Sequence, residues 1–208
     1  MLVVHHLNDS RSQRILWLLE ELGAPYEIKY YQRDAKTRLA PPELKAIHPL
    51  GKSPVVTEGD LTLAESGAIV DHIVRRHGGG RLAPAMSTAA YDTYQEWLHY
   101  SEGSAMLPVL MTMYLARAGE AVAPIMTRVQ SELANHLGYV ESALAGRDYL
   151  MGKDLTAADV QMSFVGEMVA ASGGLGPYPN IAAWVARLQA RPAYKTAVEK
   201  GGPYRFAK

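Results

Sequence analysis

The chain has 208 residues, 48% hydrophobic and 20% charged, and its 21 Lys plus Arg balance its 21 Asp plus Glu. That length holds one large domain or two small ones, and the even charge excludes a general attraction to nucleic acid or anionic lipid. There is no cysteine, which excludes a disulfide, a thiolate metal site and a thiol nucleophile belonging to the protein, so any sulfur chemistry must use a ligand's sulfur.

In chain order, Leu2 to Leu7 is an apolar run that predicts a buried strand. A polar knot follows, His5-His6-Leu7-Asn8-Asp9-Ser10-Arg11-Ser12-Gln13-Arg14. It leads into Ile15, Leu16, Leu18, Leu19 and Leu22 at helical spacing, so a helix is expected over about Arg11 to Leu22, stopped by Gly23 and Pro25. Tyr26 to Tyr31 alternates as a second strand, and Gln32 to Pro42 is a polar loop with Arg33, Lys36 and Arg38. Pro42 to Ile47 makes one or two helical turns with proline at the first position. His48-Pro49-Leu50-Gly51-Lys52 is a turn. Val55-Val56-Thr57 and Leu61-Thr62-Leu63 form a hairpin across Glu58-Gly59-Asp60. Ala64-Glu65-Ser66-Gly67 opens a helix with an apolar face of Ile69, Val70, Ile73 and Val74, and Gly78-Gly79-Gly80 ends it. The order β-α-β-α-β-β-α contains a hairpin, so the sheet must be mixed.

Composition and periodicity change at a linker over 79–86. Beyond it the pattern is helical throughout. A long helix is expected over Ser87 to Ala118, kinked at Pro108, and a second over Glu120 to Leu144. Thr156 to about Ala171, Ile181 to Ala190 and Ala193 to Lys200 follow. Thr156 to Asp159 reads as a capping box with Asp in the place of Glu. The longest mostly apolar stretch, Ala105 to Ala118, is too short to span a bilayer and carries Pro108. With no basic-then-apolar leader at the start, a cytoplasmic protein is expected.

The strand, polar knot and first helix together suit an anion. A helix start carries free N–H groups and a partial positive charge. Ser10 and Ser12 place hydroxyls there, and the proposed anion is the thiolate of a bound small thiol. A free thiol ionises near ~8.5, and lowering that by ~2 units takes about 2.7 kcal/mol. One hydroxyl donating to a charge contributes about 1.5–3 kcal/mol and a helix end about 0.3–1 kcal/mol more, so no general base is required. Ser10 also fits a capping box with Gln13 reaching back. If its hydroxyl is spent there, Ser12 or the amide of Asn8 serves instead. His5 and His6, adjacent on a strand, point to opposite faces and cannot share a metal ion.

Four segments carry a family likeness: Leu7 to Leu19, Pro41-Pro42-Glu43-Leu44-Lys45, Ile47-His48-Pro49-Leu50-Gly51-Lys52-Ser53-Pro54, and Leu63-Ala64-Glu65-Ser66-Gly67-Ala68-Ile69. On these the chain resembles the cytosolic glutathione transferase superfamily, nearest its fungal and bacterial branch first described in yeast. The likeness is dense over residues 1 to 77. It is looser afterwards, where Leu155-Thr156-Ala157-Ala158-Asp159 is the main landmark.

The resemblance implies an α+β fold. A thioredoxin-like domain with a mixed four-stranded sheet occupies 1–78, and an all-helical domain occupies 87–208. It implies a transferase that uses glutathione as co-substrate and no metal. The thiolate attacks a small hydrophobic electrophile, with peroxide reduction as a side activity. A non-catalytic glutathione- or ligand-binding protein is the alternative. Ser10 is the expected thiolate partner, with Ser12 and Asn8 as alternates. By the same resemblance, Ser53 precedes a cis proline and offers its backbone to the cysteinyl part of glutathione. Glu65 pairs the γ-glutamyl ammonium while Ser66 takes that residue's carboxylate. Lys52, and Arg38 from the loop, face the glycyl carboxylate. Tyr100, Met106, Leu110, Met111, Met113 and Tyr114 are candidate walls of an electrophile pocket between the domains, methionine suiting varied apolar shapes. A homodimer and a role in detoxification are implied as well; neither nucleic acid nor a membrane span is.

Overall fold

The computed structural model describes residues 1–207, the side chain of Glu120 excepted. The chain divides into two compact units, one of Met1–Pro84 with Leu188–Lys208 and one of Ala85–Arg187. The break at Pro84 falls inside the expected linker. The last stretch, expected with the helical domain, packs instead with the first unit, because its helix covers the apolar face of the first helix.

In the first unit, β1 (Leu2–Leu7), β2 (Tyr26–Tyr31), β3 (Val55–Glu58) and β4 (Leu61–Leu63) form one sheet in the order β2-β1-β3-β4. β1 runs parallel to β2 and antiparallel to β3, and β3 is antiparallel to β4. The sheet is mixed, as the hairpin requires. The helix α1 (Ser12–Leu22) ends where Gly23 turns left-handed at φ 59°, its N–H returning to the Glu20 and Leu19 carbonyls. A short α2 (Glu43–Ile47) follows β2, and α3 (Ser66–His77) follows β4. Ile15, Leu16, Leu18 and Leu19 of α1, with Ile69, Val70 and Ile73 of α3, are wholly buried, which is where the apolar periodicity puts them.

The second unit begins with α4 (Ala89–Tyr100) and α5 (Met106–Leu115), joined by a π-helical turn at Ser101–Ala105. The single helix kinked at Pro108 is therefore corrected: the irregularity lies upstream of the proline. A proline ring displaces the carbonyl of the residue before it by one turn. Widening that turn lets the Met106 N–H reach the Ser101 carbonyl instead. Then come α6 (Ala123–Ala143), α7 (Ala157–Ala171) and α8 (Pro179–Ala190), and α9 (Pro192–Gly201) returns the chain to the first unit.

Within the second unit α7 is buried along almost its whole length. A Cβ on its Gly166 would meet Val185 Cγ2 at 2.7 Å and Trp184 Cζ3 at 2.9 Å, so glycine permits α8 to pack there. The Thr156–Asp159 capping box forms as expected. Asp159 is fully buried. Its Oδ2 accepts from Thr156 N and Oγ1, both at 3.0 Å, and its Oδ1 accepts from Leu150 N at 2.8 Å and Trp184 Nε1 at 3.0 Å. One carboxylate thus fixes the start of α7, the loop before it and α8. Among the described residues no helix is long and apolar enough to cross a membrane.

Candidate active site

The topology collects the signature segments at one end of the first unit's sheet. β1 ends at Leu7 and runs into the turn of Asn8 to Arg11. β3 is antiparallel to β1 and starts beside His5, so Ser53-Pro54 lies at that same end. β4 returns with Leu63 opposite Val56, and Glu65-Ser66 follows it at the start of α3. The Ser53–Pro54 peptide is cis, and Ser53 Oγ donates to the His5 carbonyl at 2.8 Å. Arg14, buried on α1, donates to Ser66 Oγ at 2.9 Å. The sequence reading overlooked Arg14. It sits on the apolar face beside Ile15 and Leu18, the one signal that it is buried rather than solvated.

Glu65 has φ 66° and ψ 114°, a conformation that costs a non-glycine residue about 1–3 kcal/mol and persists where the surroundings impose it. Its side chain is exposed, and its carboxylate has no partner among the described residues. The Glu65 carbonyl accepts the Ile69 N–H at 2.9 Å, so the helix proper starts just beyond it. A carboxylate therefore stands beside a helix N-terminus with a buried guanidinium beneath. Such a site pairs an ammonium with the first and an anion with the second.

The turn between β1 and α1 differs from the expected capping box. Ser10 is not the cap of α1, and the Gln13 amide does not reach back; it is buried with neither atom hydrogen-bonded among the described residues. The helix starts at Ser12 instead, because Ser10 Oγ accepts from Ser12 N at 3.2 Å and lies 2.7 Å from Ser12 Oγ. Ser12, with no exposed surface, accepts from Leu7 N at 3.2 Å and lies 2.9 Å from His6 Nδ1.

The direction of these protons follows from the last member. His6 Nε2 lies 3.1 Å from the Gly201 carbonyl, which can only accept, so the ring's proton is on Nε2 and its Nδ1 accepts. Ser12 has one hydroxyl proton and two acceptors for it, that Nδ1 at 2.9 Å and the Leu7 carbonyl at 3.3 Å, and gives it to the nearer. Ser10 must then donate to Ser12. Both serine protons are spent inside the protein.

Burial lowers the His6 pKa to about 4, opposed by the Gly201 bond. The ring is neutral in the fold and takes a proton near ~6.5 when unfolded. Between those values the unfolded chain binds the extra proton, so this contribution is full above pH ~6.5 and is lost as pH falls toward ~4, amounting to about 3 kcal/mol. Urea denaturation from pH 7 to 4 should show that loss, and a His6→Gln variant should show a shallower slope across the window. Equal slopes would remove His6 as the cause.

Asn8 is differently placed. Its Oδ1 accepts from Arg33 N at 2.8 Å and its carbonyl from Arg33 Nε at 3.1 Å. That fixes the amide and leaves its Nδ2 protons without a partner among the described residues. Asp9, at φ 50°, accepts from Arg205 N at 3.1 Å through Oδ1 and pairs with Arg38 at 2.7 Å through Oδ2. Arg38 is thus held at the turn. Lys52 is exposed beside Ser53 and has no partner among the described residues.

The candidate pocket walls are mixed. Met106 is buried in the second unit's core, Tyr114 is exposed, and Leu110, Met111 and Met113 are half-buried. Tyr100 Oη lies 2.7 Å from His136 Nδ1, and burial, with the Tyr139 phenol, pushes its pKa up to about 12. It is a committed hydrogen-bond donor rather than a ready acid.

Comparison with known proteins gives this geometry its family. Residues 1–75 match the family model of the glutathione S-transferase N-terminal domain, and residues 104–192 that of the C-terminal domain. The chain is 37% identical to glutathione S-transferase 3 of Schizosaccharomyces pombe, over 96% of this chain and 88% of that one. It is 32% identical to glutathione S-transferase 1 of Saccharomyces cerevisiae, over 95% of this chain and 94% of the other. Among solved structures, a glutathione S-transferase from Actinobacillus pleuropneumoniae superposes with a TM-score of 0.88 at 35% identity, covering 99% of this chain and 94% of that one. A glutathione transferase family member from Pseudomonas fluorescens, with two glutathione molecules bound, gives 0.81 at 25% identity over 95% and 92% of the two chains. With both domains matched and the yeast relatives spanning nearly the whole chain, the protein belongs to the cytosolic glutathione S-transferase superfamily, on its fungal branch, and is a glutathione S-transferase.

Proposed function

We propose that the glutathione thiolate is held at the turn between β1 and α1 by the Asn8 Nδ2 protons, at the positive end of the α1 dipole. The proton inventory carries this reading. Ser10, the partner expected from sequence, has given its proton to Ser12, and Ser12 to His6. Facing an anion, Ser10 presents a lone pair unless a 2.7 Å bond is broken. Asn8, its Oδ1 fixed by Arg33 N, has its Nδ2 protons to give.

The rest of the tripeptide follows the segments around it. Ser53 meets the cysteinyl backbone. Glu65 takes the γ-glutamyl ammonium, and Ser66 with the start of α3 takes the neighbouring carboxylate, supported by the buried charge of Arg14. Lys52, exposed and unpaired among the described residues, takes the glycyl carboxylate. Arg38 reaches that group only by leaving Asp9.

The thiolate then attacks an electrophilic carbon of a small hydrophobic substrate. The C–S bond forms, and the leaving group departs or the addition product is protonated by water. Attack on a peroxide oxygen uses the same anion. All the pocket candidates but the buried Met106 have accessible surface: Tyr100, Leu110, Met111, Met113 and Tyr114. The superfamily resemblance supports a cytoplasmic homodimer with a role in detoxification.

The test is spectroscopic. Glutathione bound to the purified protein at neutral pH should show the ultraviolet thiolate band, and the complex should conjugate aryl halides or isothiocyanates. Tight binding with no thiolate band would overturn the mechanism.

A further inference from the structure

At the opposite end of the same sheet, Glu58, His72 and His77 bring ligand atoms together. Glu58 is the last residue of β3, paired with Leu2 where β1 begins. His72 lies in the middle of α3 and His77 at its end. His72 Nε2 lies 2.9 Å from Glu58 Oε2 and His77 Nε2 lies 3.0 Å from Glu58 Oε1. One ligand atom from each of the three residues lies within 4.8 Å of the others.

We propose that this triad binds a divalent transition-metal ion of the zinc type, tying the end of α3 to the β3–β4 hairpin. Two imidazole nitrogens and one carboxylate oxygen are a zinc donor set. With metal–ligand bonds of about 2.0–2.2 Å, tetrahedral donors stand about 3.4 Å apart, close to the 2.9 and 3.0 Å that separate the carboxylate from the two rings.

A plain hydrogen-bonded Glu between two histidines explains His72, which bonds the carboxylate well. It does not explain His77. The Nε2 of that ring is buried and 3.0 Å from the carboxylate, yet it is poorly aligned for a hydrogen bond to it. A buried ring nitrogen beside a carboxylate oxygen, with no aligned proton between them, is available to a shared central ion. His72 is buried and the other two half-buried, so three protein ligands would leave the fourth position to water. The sequence hides this site. His72 and His77 are five positions apart on a helix, outside the usual one-turn metal spacing, and Glu58 comes from the sheet.

Metal-stripped protein titrated with zinc should bind one equivalent per chain, and cobalt should give the visible d–d bands of a tetrahedral nitrogen–oxygen site. His77→Ala and Glu58→Gln, each verified as folded by circular dichroism, should weaken zinc at least about tenfold. Both should still conjugate glutathione, because the triad lies at the far end of the sheet from the Asn8 turn. Zinc bound equally by the wild type and both variants, or not bound by the wild type, would overturn the proposal.

Discussion

An Asn8→Ala variant should bind glutathione mainly as the thiol at neutral pH. A single hydrogen bond to a charged acceptor contributes about 1.5–3 kcal/mol, which corresponds to about 1–2 pKa units for the bound thiol. Conjugation at pH 6.5 should fall by about tenfold to a hundredfold, with the loss shrinking as pH rises and hydroxide does the work of the missing donor. Ser10→Ala should behave otherwise. It removes the acceptor of the Ser12 N–H and a donor to Ser12 Oγ, so it should lower stability by about 1 kcal/mol and barely move the thiol's titration. Following the thiolate band of bound glutathione against pH in both variants separates them. A larger shift in Ser10→Ala would return the role to the serine.

The largest effect on stability is expected at Asp159. Alanine there strands the Thr156 N–H and hydroxyl, the Leu150 N–H and the Trp184 indole N–H, all of which meet the carboxylate in a site without solvent. Each buried donor left without an acceptor costs about 1–3 kcal/mol, so losing several together takes a large part of a typical domain's ~5–15 kcal/mol. Urea unfolding should show it. Asp159→Asn should fall between, since its amide accepts through one atom only. A loss under about 1 kcal/mol for Asp159→Ala would mean that the capping box alone, not the three-way junction, is what the residue holds.

Most of the architecture was legible because it rests on local pattern. β1, β2 and β4 have the bounds that alternation and turn residues assign, and the α7 box forms between neighbours in sequence. The same box motif failed at Ser10 and Gln13 because the donors there were claimed from far away. His6 orients Ser12, and its own orientation depends on Gly201, 195 positions distant. No local signal carries that. Pro108 foretells a disturbance in that helix, but not that a widened turn upstream absorbs it. Glu65 was identified as a ligand candidate from its charge and its place before a helix, but nothing in the residue type foretells its positive φ. The candidate site was therefore readable as a set of segments, while the choice among Asn8, Ser10 and Ser12 depends on proton positions that only the assembled fold determines.

The docking of α9 has a consequence for synthesis. Its neighbourhood supplies the Gly201 carbonyl to His6, Arg191 to Glu21 through a forked pair of 2.5 and 2.9 Å, and the Arg205 N–H to Asp9. The sheet-bearing half is thus completed by a segment translated only after the whole helical half. A nascent chain that has emerged only as far as Pro84 carries α1 with an uncovered greasy flank, including Trp17, which Tyr194 later meets edge-on at 5.4 Å. The helical unit is, in effect, an insertion into the sheet-bearing domain, whose two sequence segments can meet only after the insertion between them has been made.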